Sequence, residues 1–135
     1  MRARLLALAL VLGALAGCGS APADVFDITR SGKDRNANVR LLVSDGGSVR
    51  CNRRKPVQLD AKRLLAAREL ARDLQSQAAL ALELPPGRGT ILTYRVRLEA
   101  GTIGFSDSSR GIPPTFNRVA AFTADVAERV CKLER

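Results

Sequence analysis

The chain contains no histidine and no tryptophan, and its only aromatic residues are one tyrosine and four phenylalanines. Without histidine, a Ser-His-Asp triad and a histidine-ligated zinc site are both excluded. So few aromatic side chains argue against stacking on nucleic-acid bases. The apolar run of residues 5–15 is shorter than the roughly 20 residues that a membrane-spanning helix needs.

The first 18 residues have the layout of an export signal. Arg2 and Arg4 give a positive start, residues 5–15 are apolar and uncharged, and the small residues Ala16 and Gly17 follow. A charged start, an apolar core of about 7–15 residues and a small-residue cleavage site are typical of a secretory signal peptide. We therefore expect residues 1–17 to be removed and the protein to be exported.

The stretch Leu15-Ala16-Gly17-Cys18 resembles a lipobox, the recognition site of bacterial lipoprotein precursors. This resemblance implies transfer of a diacylglyceryl group to the Cys18 thiol and cleavage directly before it. Each buried CH₂ adds about 0.8 kcal/mol, so two or three acyl chains on one cysteine hold a protein stably on a membrane. The alternative is an ordinary secretion signal followed by an unmodified cysteine.

On the lipoprotein interpretation the chain has three parts. Residues 1–17 are the signal peptide, residues 18–24 are the lipidated cysteine and a short tether, and residues 25–135 form one domain. The protein is then expected at the cell membrane, lipid-anchored and exposed on the extracytoplasmic side.

The chain is basic, with 22 Lys and Arg against 13 Asp and Glu and a net charge of +9. Removing residues 1–17 takes away two arginines and no acid, which leaves +7. Besides Cys18, Cys51 and Cys131 remain. An even pair in an oxidising compartment favours a disulfide, which makes both cysteines structural. The alternative is two buried free thiols.

Alternating apolar and polar residues predict several short strands. Residues 25–30 suit a first strand, residues 39–43 and 48–51 a hairpin, and residues 91–98 and 102–106 a second hairpin. Glycines between alternating runs are typical of hairpin turns, and Gly46, Gly47 and Gly101 stand at these turns.

Apolar residues at helical spacing predict two helices. The first is expected to begin after Asp60 as N-cap and to run to about Ser76. The second is expected to begin after Thr115 as N-cap and to carry its apolar stripe to Leu133. The repeated order of hairpin and helix has two explanations: a common arrangement of hairpin and helix that arose twice, or a duplication of one half of the chain. We expect an α+β domain, with an antiparallel sheet of about four or five strands and both helices on one face.

Four arginines are expected on the sheet face that the helices leave open, because side chains alternate across a strand. They are Arg40, Arg50, Arg95 and Arg97, with Asp27 and Glu99 as the obvious acidic partners. One interpretation is a solvated outer face. The other is an anion-binding face, since guanidinium offers a planar fork to phosphate and carboxylate. Its candidate partners are anionic lipid, a wall polymer or an acidic protein, and not nucleic acid.

Residues 106–114 form a second candidate site. The segment begins polar and ends in Pro113-Pro114, which indicates an exposed recognition loop that includes Arg110. The alternative is a plain connection in which the two prolines prepare the start of the second helix.

Two resemblances cover the domain. Residues 39–51, followed by a helix and by a hairpin with Tyr94-Arg95-Val96-Arg97, are similar to small uncharacterised lipoproteins of actinobacteria. A strand ending in Cys51, then a helix and a hairpin, more weakly resembles the Streptomyces subtilisin inhibitor family. That family's second helix cysteine and disulfide-braced reactive loop have no counterpart here. The second resemblance implies protease inhibition, with Arg110 facing the protease.

The acidic residues are scattered, and no glycine-rich phosphate loop follows a strand. We therefore expect a non-catalytic binding module rather than an enzyme, without cofactor or metal. The alternatives are a protease-inhibitor-like domain and a cell-wall enzyme that assembles a carboxylate pair in three dimensions.

The lipid anchor gives the first testable prediction. Metabolic labelling with a palmitate analogue should mark the wild-type protein and a Cys51→Ala control, but not Cys18→Ala. The label should be read by in-gel fluorescence, and the mature N-terminus by mass spectrometry. An unlabelled wild type, or cleavage anywhere but before Cys18, contradicts the prediction.

Overall fold

The computed structural model describes residues 24–133, so the expected signal peptide, Cys18 and the tether up to residue 23 lie outside the described residues. Six strands and two helices follow one another along the chain. The strands are β1 (Asp24–Gly32), β2 (Val39–Ser44), β3 (Ser48–Cys51), β4 (Val57–Gln58), β5 (Leu92–Leu98) and β6 (Gly101–Ser106). The helices are α1 (Ala61–Ala79) and α2 (Pro114–Asp125), and α2 continues into a π-helical segment, Val126–Val130.

All six strands belong to one antiparallel sheet with the order β4-β3-β2-β1-β5-β6. The expected α+β fold is confirmed, with a strand count slightly higher than predicted. The unpredicted strand is β4, which has only two residues and pairs Val57 with Val49. Its side chains are exposed, so it carries no alternating apolar pattern that the sequence could reveal.

The central strand β1 separates the two hairpins, β2–β3 and β5–β6. Both inner strands, β2 and β5, run antiparallel to β1 and therefore parallel to each other. A duplication related by a two-fold axis perpendicular to the sheet would make β2 and β5 run in opposite directions. A two-fold axis along β1 would instead place the two helices on opposite faces of the sheet. Neither axis relates the two halves, although both read hairpin then helix.

The hydrophobic core lies between one face of the sheet and the helices. Side chains of β2 alternate as expected, with Val39, Leu41 and Val43 buried. An aromatic cluster joins the layers: the Phe26 and Phe122 rings lie 5.6 Å apart, and Phe105 stacks between Tyr94 and Phe116. Complete burial of such a side chain contributes about 1.5–3 kcal/mol.

Helix α1 begins where the sequence predicts it. The carboxylate of Asp60 accepts a hydrogen bond of 2.8 Å from the backbone N–H of Arg63, which satisfies a free donor of the first turn. The Arg63 guanidinium also donates to Asp125 of α2 at 2.7 Å, and this bond holds the pKa of Asp125 below its usual value. One arginine thus links the start of α1 to the end of α2.

Helix α2 begins two residues earlier than predicted. Its N-cap is Pro113 and its first residue is Pro114, so Thr115 is not the cap. Proline suits the first helical position because the missing N–H has no partner there anyway. The pattern of buried residues is as expected, with Phe116, Val119, Phe122 and Val126 facing the core.

The outer edge of β6 is covered by the segment between the helix and β5. Leu84 donates its backbone N–H to Gly104, and Gly104 donates to the carbonyl of Leu82. This parallel bridge brings Glu83 against Gly104, where an added Cβ would collide with the carboxylate. A side chain at this position of β6 would therefore have to displace the Glu83 carboxylate.

Cys51 and Cys131 lie at disulfide-bonding distance, with Cα atoms 6.0 Å apart, as the sequence predicts. The bond joins the end of β3 to the residue after the π-helical segment, across 80 positions of the chain. Both cysteines are buried.

The disulfide gives the second testable prediction. Reduction of the native protein should lower its free energy of unfolding by about 4 kcal/mol, because the bond closes a long loop in the unfolded chain. Urea unfolding with and without reductant measures this difference. The matched control is Cys51→Ala with Cys131→Ala, whose stability should not respond to reductant. Equal stability of the oxidised and reduced wild type would refute the prediction.

Candidate functional site

All four arginines of interest lie on the sheet face opposite the helices. Arg40 and Arg50 stand on β2 and β3, and Arg95 and Arg97 stand on β5, all exposed. The central strand β1 lies between the two pairs. The net charge of this face therefore depends on which side chains of β1 lie beside these arginines.

Asp27 of β1 bonds to arginines from both sides. Its Oδ2 lies 2.6 Å from Nη2 of Arg40 and 3.1 Å from Nη2 of Arg97. The Asp27 side chain is 9% exposed, whereas those of Arg40 and Arg97 are 57% and 66% exposed. The hydrogen bond to Asp27 raises the pKa of the Arg40 guanidinium above its ordinary value. One carboxylate thus serves two guanidinium groups in the middle of the face.

Arg95 has a partner that the sequence did not indicate. Its Nη2 donates to Oε1 of Glu83 at 2.8 Å, and Glu83 is held beside β6 by the parallel bridge. Asp27, one of the two acids named from the sequence, does pair with the arginines. Glu99, the other, forms no ion pair within residues 24–133 and lies in a depression that Asp24, Asp27 and Arg97 also line.

The remaining arginine, Arg50, forms no ion pair with any residue that the structure describes. It borders a groove of about 490 Å³ at the junction of β2, β3 and the loop before β4. We call this the basic groove. Its charged lining is entirely cationic and consists of Arg40, Arg50, Arg53, Arg54 and Lys55.

Backbone and side-chain bonds fix the loop that carries three of these cations. Asn52 has a left-handed backbone (φ 54°), and its side-chain Oδ1 accepts from the N–H of Arg40 at 2.8 Å. Its own N–H donates to the Arg40 carbonyl at 2.7 Å. Arg54 donates through Nη1 to the carbonyl of Cys131 at 3.1 Å. The basic loop is therefore held in place before any ligand arrives.

The predicted recognition loop is arranged around its serines. Ser109 is buried, and its hydroxyl accepts from the N–H of Ser106 at 2.9 Å. Arg110 is exposed next to Gly111, while Pro113 and Pro114 begin α2. The prolines therefore have a local role at the helix start. Recognition by Arg110 stays a prediction.

Within residues 24–133, no three His, Cys, Asp or Glu side chains converge on a point that could hold a metal ion. The same residues include no helix that is long and apolar enough to cross a bilayer. Comparison with protein-family models, curated proteins and solved structures gives no match to this chain.

Sequence reasoning named Arg40 and Arg50 but missed the groove that they share with residues 53–55. Those three residues appear in the sequence only as a short basic run in a loop. Two further signals were present: Asn52, a residue that tolerates a left-handed backbone, and Cys51 directly before it. Together they suit a sharp, covalently fixed turn at the end of β3.

The Asp27 pairs give the third testable prediction. Asp27→Asn should lower the midpoint of thermal unfolding by roughly 5 °C, because a buried acceptor of two charged hydrogen bonds loses its charge. Arg50→Gln is the matched control, since no ion pair among the described residues is lost, and it should unfold like wild type. Circular dichroism measures both. If the two variants unfold together, Asp27 does not stabilise the sheet as argued.

Proposed function

We propose that this protein is a lipid-anchored, extracytoplasmic lipoprotein whose domain is a non-catalytic binding module for anionic ligands, held in the basic groove. The observation that carries the proposal is the composition of the groove. Five cationic side chains line it, and no Asp or Glu among the described residues does. Guanidinium groups bind phosphate and carboxylate through paired hydrogen bonds, so such a lining suits an anion.

The pairing pattern on the sheet supports the groove over the rest of the face. Arg95 and Arg97 each meet a carboxylate, whereas Arg50 and Arg53 meet none within residues 24–133. An anion therefore meets the unpaired guanidinium groups of Arg50 and Arg53 at the groove, whereas at Arg95, Arg97 and Arg40 it would have to compete with Glu83 or Asp27. This observation also favours a binding module over an enzyme, because the groove offers cations but no general base.

The position of the groove in the sheet indicates how it would lie relative to a membrane that holds Cys18. Leu42 pairs with Asp27 and Arg40 pairs with Thr29, so these groove residues lie about 10–17 Å from the start of β1. Asp24, Asp27 and Glu99 line the depression at that start, with Arg97 as its only cation. A lipid on Cys18 would join the domain at this more acidic end. The basic groove would then face away from the membrane.

The proposal gives the fourth testable prediction. Tripolyphosphate should bind the full-length protein in a non-ionic detergent, as measured by isothermal titration calorimetry, and the affinity should fall as salt screens the charges. Arg50→Gln with Arg53→Gln should weaken binding about tenfold or more, the equivalent of one charged hydrogen bond.

Two controls separate the groove from general basicity. Arg72→Gln with Arg88→Gln removes the same charge from exposed positions outside the groove and should bind as wild type does. Arg95→Gln with Arg97→Gln removes paired arginines and should weaken binding less than the groove variant. A wild type that does not bind, or equal losses in all three variants, would overturn the proposal.

A further inference from the structure

The basic groove continues into a second depression at the same end of the sheet. This depression, of about 370 Å³, is bordered by Arg35 and Asn38 from the β1–β2 loop and by Lys132 after the disulfide. Asn52 and Arg54 line both depressions, so the two are neighbours. We call the combined surface the basic track.

The basic track collects seven cations from three separate stretches of the chain. They are Arg35, Arg40, Arg50, Arg53, Arg54, Lys55 and Lys132. No Asp or Glu of residues 24–133 lines either part of it. A single small anion would contact two or three of these side chains and leave the others to repel one another.

We infer that the basic track binds a linear polyanion with repeated phosphate groups, which runs from the basic groove across Arg54 into the second depression. This inference rests on the proposed function and names its ligand class. An extended chain of anions is the ligand that neutralises cations on both sides of Arg54 at once. Adjacent strands lie about 4.8 Å apart, so a ligand that passes the ends of β3, β2 and β1 must extend for roughly 10 Å.

The other lining groups fit a polymer that is recognised by its charge. Asparagine amides lie along the track, and no aromatic side chain lines it among the described residues. Nucleic-acid bases are usually gripped by aromatic stacking, which this surface does not offer. A phosphate-bearing polymer without bases needs only the repeated cation contacts.

The fixed backbone at the centre of the track favours a preformed site. Lys132 adopts a left-handed backbone (φ 53°), and the following residue, Leu133, donates its N–H to the Ala127 carbonyl at 2.9 Å. Arg54 is tied to the carbonyl of Cys131, directly before Lys132. The two halves of the track are therefore joined by the disulfide and by one side-chain hydrogen bond.

The location of the track argues for a polymer over membrane headgroups. It lies at the end of the sheet opposite Asp24, beyond which the chain leads back to Cys18. The field of a charged surface falls off within about 8–10 Å at physiological salt. A polymer can occupy the track at the outer end of the domain, whereas lipid headgroups could reach it only if the domain lay down against the membrane.

The test compares linear polyphosphate of long and short chain length on the full-length protein in a non-ionic detergent. Long polyphosphate should bind at least about tenfold more tightly per phosphate than tripolyphosphate, because only the long chain contacts both depressions. Arg35→Gln with Lys132→Gln should remove this advantage and leave tripolyphosphate binding unchanged. Arg72→Gln with Arg88→Gln, equal in charge change, should keep it. Thermal unfolding of each variant checks that the fold is intact.

The outcomes separate the two proposals. If tripolyphosphate binds in the basic groove but long chains gain nothing per phosphate, the track is wrong and the proposed function stands. If neither binds, the proposed function fails as well. If soluble short-chain phosphatidylglycerol binds and polyphosphate does not, the groove takes lipid headgroups and the inference is overturned.

Discussion

The covalent link between Cys51 and Cys131 is the constraint on which the layers of this fold and its basic end both depend. It ties the sheet to the end of the second helix across 80 positions of the chain. Basic residues follow both cysteines, Arg54 on one side and Lys132 on the other. Side chains of like charge repel one another, so their approach needs a fixed scaffold. The disulfide and the bond from Arg54 to the Cys131 carbonyl supply it.

The carboxylate of Asp27 has a different effect on the same sheet. Ion pairs with well-exposed arginines contribute at most about 1 kcal/mol to stability, because water screens them and the side chains lose freedom. Their larger effect here is on where the positive charge lies. Asp27 balances the middle of the open face and Glu83 balances Arg95, so the unbalanced cations remain at the end of β3. The open face of the sheet thus presents its unpaired positive charge at one end.

Most of the fold was predictable because its core follows local rules. Alternation marked β2, β5 and β6, helical spacing marked both helices, and Asp60 marked the start of α1. Two elements escaped for physical reasons. Strand β4 has exposed side chains and is defined only by its pairing with β3. The parallel bridge at Gly104 joins distant segments through backbone bonds, which leave no periodic signal in the sequence.

The candidate site was less predictable than the fold, because it depends on pairing rather than on pattern. Alternation correctly turned four arginines to one face, but it could not tell which of them would meet a carboxylate. That depended on Glu83, which lies in a segment without regular secondary structure, and on the register that sets Asp27 opposite Arg97. The sequence predicted which arginines are exposed. Which of them form ion pairs depended on neighbours that only the three-dimensional structure shows. In a basic protein the functional surface is therefore better sought where cations lack partners than where cations are most numerous.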